Sequence, residues 1–319
     1  MNKYPTLALL TVIAMTMATG CGEPKRQIRK LADVQSAVIG AMTGTTGEQL
    51  AKDRFPQATV KSFDDIMDAV AALKSDQIDA VITGFPAAMN VCKHNADLEY
   101  LAEPVDYEST SAAVKKGNTA LLRAVDGIIG ELKGDGTLKD MRRRWFKSDL
   151  SPYEEVRVSR PDRGEVLKVG TSATREPFCF IDANQQVTGH DGELALRIGA
   201  RLGRPVEFID MKFSALIPAL QAGKVDLIVA GMTETAERKK SVDFTQSYFE
   251  NSQRLIVKRP VAPKSEGDRE AAAGGLKTLD DIANRRVGVY EGTIQDGFVA
   301  RKYPQAVVSR YNALGDIVL

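Results

Sequence analysis

The sequence is poor in histidine and cysteine and carries almost no net charge. Its 319 residues include 2 His and 3 Cys, and the formal net charge is +1 at pH 7. This balance gives no electrostatic case for binding nucleic acid or an anionic membrane surface. After residue 20, no stretch approaches the ~20 apolar residues of a membrane-spanning helix. The composition, 43% hydrophobic and 27% charged, is typical of a globular chain long enough for two compact units.

The sequence also lacks the usual arrangements of catalytic and metal-binding residues. His94 and His190 stand alone without metal-ligand spacing, and we predict that His190 is structural. No nucleophile elbow occurs, and the Gly-rich turns lack the Lys of a P-loop. Asp191 and Glu193 begin a predicted helix, where they are better explained as partners of the cap and helix dipole than as a catalytic pair. We therefore predict a protein that is not an enzyme and has no metal or cofactor.

The N-terminus differs from the rest of the chain. Residues 1–21 contain an apolar stretch followed by small residues, as in a secretory signal peptide. The ending ATGC resembles a lipobox, in which Cys21 is lipidated; the alternative is an ordinary signal peptide with an incidental Cys. We favour the lipoprotein, which predicts export and anchoring to the membrane on its periplasmic or cell-surface side. Residues 22–30 are then a polar tether, and we expect Cys92 and Cys179 to be unpaired thiols.

Residues 31–146 alternate strands with helices, which predicts β-α-β units and a mostly parallel sheet. The pattern indicates strands at 36–42, 59–63 and 80–83, and helices at 48–54, 64–74, 121–132 and 138–146. Asp64 and Asp65 supply N-cap chemistry for the second helix. Residues 98–114 are predicted to be an extended connection. Residues 147–165 contain prolines among charged residues and indicate a linker.

Residues 166–260 form a second organised region, which ends in an anion-binding pattern. We predict a strand from residue 167, helices at 192–202 and 215–222, and strands at 206–210 and 225–230. The last strand leads to Gly231, Thr233 and Arg238. Freed backbone N–H groups, a hydroxyl and a guanidinium can converge on one carboxylate. The alternative is a surface turn with a solvated Arg.

The chain then repeats part of itself. After a charged and presumed flexible loop at 261–276, residues 279–319 align with residues 31–71 without a gap, at a constant offset of 248. The matches include two glycines, a Gly-Thr pair and a Pro-Gln-Ala triplet. Because shared β-α-β patterning does not readily place these in register, we infer an internal duplication. The second copy stops at Leu319, before the next strand of the first copy, so we expect a fragment of a longer protein or a vestigial copy.

These segments resemble the extracytoplasmic solute-binding proteins of polar amino acid ABC transporters, bacterial family 3. The resemblance implies an α/β, periplasmic-binding-protein-like (Venus flytrap) type II fold with two hinged lobes, here with a partial duplication. Val166–Pro260 looks like the first lobe, and Arg29–Ala113 looks like a second lobe. Residues 114–146 look like the terminal helices that return to a first lobe, and residues 277–319 like the start of another second lobe. We expect the two complete lobes to pack together in a permuted order.

The resemblance also implies a mechanism and a site. A polar amino acid or similar carboxylate would be captured between the lobes by hinge closure and delivered to an ABC transporter permease. Arg238 would pair with the ligand α-carboxylate, Gly231 and Thr233 would donate hydrogen bonds, and Phe213 would form an aromatic wall. The Gly-Thr turns open helices whose N-termini favour an anion. The predicted ligand-binding residues are Ser172, Arg175, Phe178, Phe213, Gly231, Thr233 and Arg238 in the first lobe, and Thr45, Thr46, Thr293 and Gln295 in the two second-lobe copies.

Several positions depart from the pattern of the family. Ser172 stands where an acidic residue is frequent, and Arg175 stands where an aromatic residue is frequent. Ile294 replaces the hydroxyl of Thr46, and Gly84 replaces an Asp that would hold an α-ammonium. If Arg175 points into the cleft, it disfavours Lys- or Arg-like ligands and favours an acidic or polar one; otherwise it points to solvent.

Other functions remain open on the same fold. Tandem domains of this kind occur as ligand-sensing modules of membrane receptor kinases, although a lipidated and cleaved N-terminus argues against a signal-transmitting helix. The fold also hosts a periplasmic dehydratase and a module of peptidoglycan lyases. A receptor part fused to a permease is a further possibility for a longer chain.

Overall fold

The computed structural model describes residues 27–260, 279–283, 285–290 and 294–311. The predicted signal peptide, Cys21 and most of the tether lie outside these residues. The strands are β1 (Val38–Met42), β2 (Thr59–Phe63), β3 (Ala80–Gly84), β4 (Leu98–Tyr100), β5 (Asp106–Lys115), β6 (Leu167–Thr171), β7 (Thr174–Arg175), β8 (Cys179–Ile181), β9 (Val187–Thr188), β10 (Val206–Asp210), β11 (Leu227–Ile228), β12 (Val242–Lys258), β13 (Arg286–Tyr290) and β14 (Val307–Tyr311). The helices are α1 (Thr46–Arg54), α2 (Ile66–Lys74), α3 (Phe85–His94), α4 (Thr119–Gly134), α5 (Thr137–Trp145), α6 (His190–Leu202), α7 (Leu216–Gln221), α8 (Ala236–Lys239) and α9 (Ile294–Lys302).

One nine-stranded sheet runs through residues 38–258. Its order is β10-β6-β11-β5-β12-β3-β1-β2, with β4 also paired to β12. In the first lobe, the strands β10, β6 and β11 are parallel to one another. In the second lobe, β3, β1 and β2 are likewise parallel to one another. Between these groups, β5 and β12 run antiparallel to their neighbours. The predicted α/β class and its two-lobed arrangement are confirmed.

The long strand β12 joins the two lobes. It has 17 residues; it pairs with β5 from Val242 onward, and its later part, Gln253–Val257, pairs with β3. Two register shifts near Ser247 interrupt the ladder, and such irregularities bend a strand. The chain therefore passes from the first lobe to the second along β12, and β5 leads back. This pairing confirms the expectation that the second lobe of the early chain packs on the later first lobe.

The elements differ from the predicted ones in four places described here. The extended connection predicted at 98–114 contains two strands, β4 and most of β5. Helix α3 was not predicted, although Gly84 precedes it and Pro86 lies in its first turn. The strand predicted at 225–230 is shortened to Leu227–Ile228. The helix predicted at 64–74 begins at Ile66, because Asp65 is its N-cap and accepts a hydrogen bond from the Met67 N–H.

The return helices α4 and α5 pack on the first lobe, as predicted. Val125 and Ile129 of α4 share one apolar core with Leu167 and Val169 of β6. Glu193 of α6 fastens α5 to this core. Its carboxylate accepts two hydrogen bonds from the Arg144 guanidinium, at 2.8 and 2.7 Å, and one from the Trp145 indole at 2.7 Å.

This contact corrects the expectation that Glu193 serves mainly the helix dipole. Glu193 does lie in the first turn of α6, but its hydrogen-bond partners include two residues of another helix. Burial acts to raise the pKa of Glu193, and the hydrogen bonds from Arg144, Trp145 and Arg197 outweigh it, so the pKa is lowered. The carboxylate is therefore an ion-pair anchor between two helices.

The remaining special residues are structural. His190 is fully buried and stacks on Tyr248, with ring centroids 5.9 Å apart. Cys92 and Cys179 are free thiols, as expected, and burial raises the pKa of each to about 12.

Among the described residues, no group of His, Cys, Asp and Glu is suited to a metal ion. Within the same part of the chain, no helix has the length and apolar character needed to cross a membrane.

The second copy repeats the elements of the first copy. A 3₁₀ turn at Leu31–Val34, β1, α1 and β2 recur as a 3₁₀ turn at Leu279–Ile282, β13, α9 and β14, each at the offset of 248 residues. The parallel pairing recurs in the same register, since Val38 pairs with Thr59 and Arg286 with Val307. This recurrence supports the inferred duplication. The strands β13 and β14 form a separate two-stranded sheet.

Candidate functional site

Predicted site residues from both lobes meet where strands end. Ser172 follows β6 directly, and the Gly231–Thr233 turn follows β11. From the second lobe, Thr45 and Thr46 begin α1 just after β1. The carboxyl ends of parallel strands are the usual place for a ligand site in an α/β sheet. The cleft side chains therefore come from both sides of the β5–β12 hinge.

Arg238 links the two lobes through its guanidinium. Its Nη1 donates to the Thr233 carbonyl at 2.7 Å, and its Nη2 donates to the Gly44 carbonyl of the second lobe at 2.8 Å. The guanidinium also lies 5.4 Å from the ring centroid of Phe213. Burial lowers the pKa of Arg238 to about 10; Glu108 opposes this shift and Arg175 adds to it. The group is therefore still a cation at neutral pH.

Glu108 of β5 lies at the centre of the site, although the sequence did not single it out. Its Oε2 accepts hydrogen bonds from the Thr46 hydroxyl at 2.6 Å and the Thr233 hydroxyl at 2.7 Å. Its Oε1 accepts from the side-chain amides of Asn251 at 2.9 Å and Gln253 at 2.7 Å. A carboxylate thus stands where the two predicted threonine hydroxyls converge.

Asn251 and Gln253 reach Glu108 because of the strand pairing. Asn251 lies directly opposite Glu108 in the β12–β5 ladder, and Gln253 is two residues further on the same face. Asn251 also fills the space beside Gly84, since a Cβ on Gly84 would lie 2.6 Å from its Nδ2. A side chain at position 84 would therefore need Asn251 to move.

Arg175 is buried and points into the space between the lobes, which decides between the two predicted orientations. It is 8% exposed, and its Nη1 donates to the Ala230 carbonyl at 2.9 Å. It lines a small interlobe cavity together with Thr45, Thr83 and Gln253. A larger surface cavity, beside linker residues 155–160, lies away from this site.

Two guanidinium groups share the aromatic wall. Arg175 lies 5.3 Å from the Phe213 ring centroid, close to the 5.4 Å found for Arg238. Burial lowers the pKa of Arg175, and the carboxylates Asp191 and Glu108 act in the opposite direction. Two cations therefore lie within reach of one ring, and the carboxylates of Asp191 and Glu108 are close enough to favour the charged form of Arg175.

The structure corrects the expected role of the Gly231 amide. Its N–H donates to the buried carboxylate of Asp191 and to the Tyr248 hydroxyl, the latter at 3.2 Å. Asp191 is in turn 2.9 Å from the His190 ring nitrogen and accepts from Tyr248 at 2.9 Å. Asp191 therefore holds the turn from inside the first lobe, rather than acting only at the start of α6. The Gly231 φ angle of +59° places this turn in the region that favours glycine.

The other predicted site residues have different surroundings. Thr45 is the N-cap of α1: its hydroxyl accepts from the Glu48 N–H at 3.2 Å and donates to the Met42 carbonyl at 2.7 Å. Phe178 belongs to the first-lobe core and reaches the site only through Arg175, 5.7 Å from its ring centroid. Ser172 is buried beside the cleft. Thr293 and the side chain of Gln295 lie outside the described residues.

The residues that the sequence did not indicate all lie on the hinge strands. Glu108, Asn251 and Gln253 come from β5 and β12, and the last two are 9% and 4% exposed. The local sequence offered no signal for Asn251 and Gln253, because residues 250–254 are all polar and show no alternation. Their partner Glu108 lies 143 residues from Asn251 and 145 residues from Gln253 in sequence, so no local pattern contains this pairing.

Comparison with known proteins agrees with the family resemblance. Residues 167–296 match the family model of bacterial extracellular solute-binding proteins, family 3. ABC transporter arginine-binding protein 1 of Escherichia coli (strain K12) is 31% identical over 149 residues, which are 47% of this chain and 56% of that protein. The arginine-binding extracellular protein ArtP of Bacillus subtilis (strain 168) is 35% identical over 130 residues, 41% of this chain and 46% of that protein.

The histidine-binding periplasmic protein of Salmonella typhimurium is also similar, at 30% identity over 132 residues, 41% of this chain and 46% of that protein. Among solved structures, an ancestral arginine-binding protein bound to glutamine is 34% identical, covers 48% of this chain and 63% of that chain, and has a TM-score of 0.27. The chain spans about half the length of the curated relatives it matches.

Proposed function

We propose that this chain, whose residues 167–296 belong to the family 3 solute-binding proteins, is a lipid-anchored extracytoplasmic receptor. In this proposal it captures a polar amino acid or similar small carboxylate by hinge closure and delivers it to the permease of an ABC importer. The observation that carries the proposal is the convergence of Thr46 from the second lobe and Thr233 from the first lobe on one carboxylate oxygen.

The geometry supports carboxylate recognition between the lobes. Both threonine hydroxyls lie within 2.7 Å of the same oxygen, and Arg238 extends from the first lobe to the Gly44 carbonyl of the second. A group held by donors from both lobes stabilises their closed arrangement, because only that arrangement brings the donors together. Charged hydrogen bonds and hydroxyl donors of this kind are the usual means of binding a carboxylate.

Arg175 suggests the class of ligand. The relatives are named for binding arginine or histidine, and a cationic ligand side chain would meet the buried guanidinium of Arg175 beside the Gln253 amide. Like charges brought together at low dielectric repel each other strongly. The proposal for this chain is therefore an acidic or polar amino acid rather than arginine or lysine.

Calorimetry with a panel of amino acids tests the proposed ligand class. We expect Asp, Glu or polar amino acids to bind more tightly than Lys and Arg. The variant Arg175→Met keeps a long side chain without its charge. It should reduce the difference in affinity between the acidic or polar amino acids and Lys or Arg. Preferred binding of Lys or Arg by the unaltered chain would contradict the proposed ligand class.

Two other proposals concern the wider protein. A membrane-anchored receptor requires modification of Cys21, so Cys21→Ser should move the protein from the membrane fraction to the soluble fraction. Unchanged fractionation would contradict the lipid anchor.

An enzyme on the same fold is the alternative to a receptor. Failure to bind any amino acid, together with turnover of prephenate-like compounds, would favour that alternative.

A further inference from the structure

The carboxylate of Glu108 fills the interlobe clamp from within the chain. We propose that Glu108 is an internal carboxylate ligand of the cleft, so that a free carboxylate must displace it to bind. The part of this inference that concerns a displacing ligand rests on the proposed function. The part that concerns closure of the lobes over Glu108 rests on the geometry alone. A residue of this kind sets both the apparent affinity and the open–closed equilibrium of the receptor.

The first argument is the number and origin of the hydrogen bonds. Thr46 comes from the second lobe, Thr233 from the first lobe, and Asn251 and Gln253 from β12. All four donate to Glu108, at distances from 2.6 to 2.9 Å. A carboxylate offers about four lone-pair sites, so the acceptor capacity of Glu108 is filled. No acceptor position is left on it for a ligand ammonium.

The second argument is the orientation that Glu108 imposes on Gln253. The amide Nε2 of Gln253 donates to Glu108, which directs Oε1 away from it. This Oε1 is buried and has no hydrogen-bond partner within the described part of the chain, and Gln253 lines the interlobe cavity. Rotating the amide by half a turn would exchange Oε1 and Nε2, and the Gln253 oxygen would then face the Glu108 oxygen, so that two acceptors would meet. The bond to Glu108 therefore outweighs the unsatisfied acceptor and fixes the orientation of the Gln253 amide.

The third argument is that one oxygen bridges both lobes. Thr46 and Thr233 donate to the same Oε2, so the bond pair breaks when the lobes separate. The exposed pair between Lys212 and Asp64, at 2.6 Å, also spans the lobes, but ion pairs at such exposure contribute little. Arg238 adds the bond to Gly44. Glu108 is thus the central member of the contacts that join the lobes.

The test compares Glu108→Gln with Glu250→Gln. Glutamine keeps the shape of the side chain but replaces one acceptor oxygen with an NH₂ group, which cannot accept the hydrogen bonds that this oxygen accepts. The substitution also removes the negative charge. Glu250 is the matched control, because it lies on β12 next to Asn251, is exposed, and accepts from Ser109 and Ser247 on the other face. Binding is measured by calorimetry with two probes, L-glutamate and succinate, of which only L-glutamate has an ammonium group.

We expect Glu108→Gln to raise the affinity for both probes by about tenfold or more, because a larger fraction of molecules is then competent to bind. In the absence of probe, small-angle scattering should show a larger radius of gyration for Glu108→Gln than for the unaltered chain. Glu250→Gln should change neither quantity. Far-UV circular dichroism and the melting curve verify that each variant is folded.

Two results would overturn the proposal. Loss of L-glutamate binding in Glu108→Gln with succinate binding retained would make Glu108 the receptor of the ligand ammonium. Unchanged affinity together with an unchanged radius of gyration would make it a structural residue of the hinge. If neither probe binds either protein, the proposed function fails for these ligands, but the scattering comparison still decides whether Glu108 closes the lobes.

Discussion

The elements of residues 31–63 recur at residues 279–311, and in the described part of the chain the first set belongs to the main sheet while the second forms a sheet of its own. In the first copy, β1 and β2 continue through β3 to β12, within one nine-stranded sheet. In the second copy, β13 and β14 pair with each other in a sheet of their own. The family match runs from the first lobe into the second copy, to residue 296. The structure instead pairs the first lobe with the first copy.

The difference between the copies shows what makes a second lobe. Both copies have the same short elements in the same register, so local sequence does not decide between them. The first copy adds β3, whose Ala80–Gly84 pairs residue by residue with Val257–Gln253 of β12. It also leads into β5, which carries Glu108 and returns the chain to the first lobe. Pairing of β3 with β12 therefore holds the first copy at the cleft.

The largest expected effect distinguishes the two copies by stability. Phe55 and Tyr303 occupy matching positions and are buried to similar degrees, at 3% and 4% exposure. Phe55 belongs to the second-lobe core shared with Leu255 of β12, whereas Tyr303 contacts Phe298 and Asp280 of its own copy. Phe55→Ala should lower the free energy of unfolding of the main transition by about 3–5 kcal/mol, because it opens a cavity in that core.

Tyr303→Ala is the matched control, and it should leave the main transition within about 0.5 kcal/mol. Denaturant unfolding followed by the fluorescence of Trp145 reports on the main sheet, since this residue lies in the first-lobe core. Equal destabilisation by both substitutions would mean that the second copy is an integral part of the main body.

The next effect concerns ligand affinity at Arg238, the first-lobe residue that contacts the first copy. Arg238 donates to the Gly44 carbonyl of the first copy and lies beside Phe213. Arg238→Ala should weaken binding of a carboxylate ligand by roughly a hundredfold or more, because it removes the cation that faces the carboxylate-binding donors. Melting should change little, since Arg238 lies on a four-residue helix at the edge of the first lobe.

Calorimetry with the tightest amino acid of the panel measures this effect. Lys239→Ala is the control, because Lys239 is an exposed neighbour whose ion-pair partner is Glu234. Unchanged affinity in Arg238→Ala would return the stretch after β11 to the alternative of a surface turn. A loss of binding accompanied by a large fall in melting temperature would show that Arg238 acts mainly by joining the lobes.

The sequence predicted the regular elements well and the site in part. The strand at Thr59–Phe63 and the strand at Val206–Asp210 have the predicted bounds. Both strands are short and follow a proline, Pro56 and Pro205, so the local pattern suffices to place them. The local pattern singled out Thr233 and Arg238, and the family resemblance added Thr46; the structure places the three residues near one another, and their role in ligand binding stays a prediction.

Contacts made by strand pairing were not predictable in this way. Glu108 lay in a stretch that was expected to be a connection, and nothing near it in sequence indicates that it faces Asn251. Asp191 and Glu193 do lie in the first turn of α6, but no side chain caps that helix, and the two carboxylates instead contact Gly231, Arg144 and Trp145. A residue's local role can be read from its neighbours in sequence, but its tertiary partners depend on the topology.

The smallest expected effect is also the one that tests the role of the second copy most directly. All the site residues that the structure brings together lie between Gly44 and Gln253. A chain ending at Pro260 should therefore bind its amino acid within about twofold of the affinity of the full sequence, as for changes remote from a site. A clear loss would show that Thr293 and Gln295 contribute to binding. A clear gain would show that the second copy competes with the first for the same lobe, so that duplication regulates the cleft instead of merely repeating a sequence.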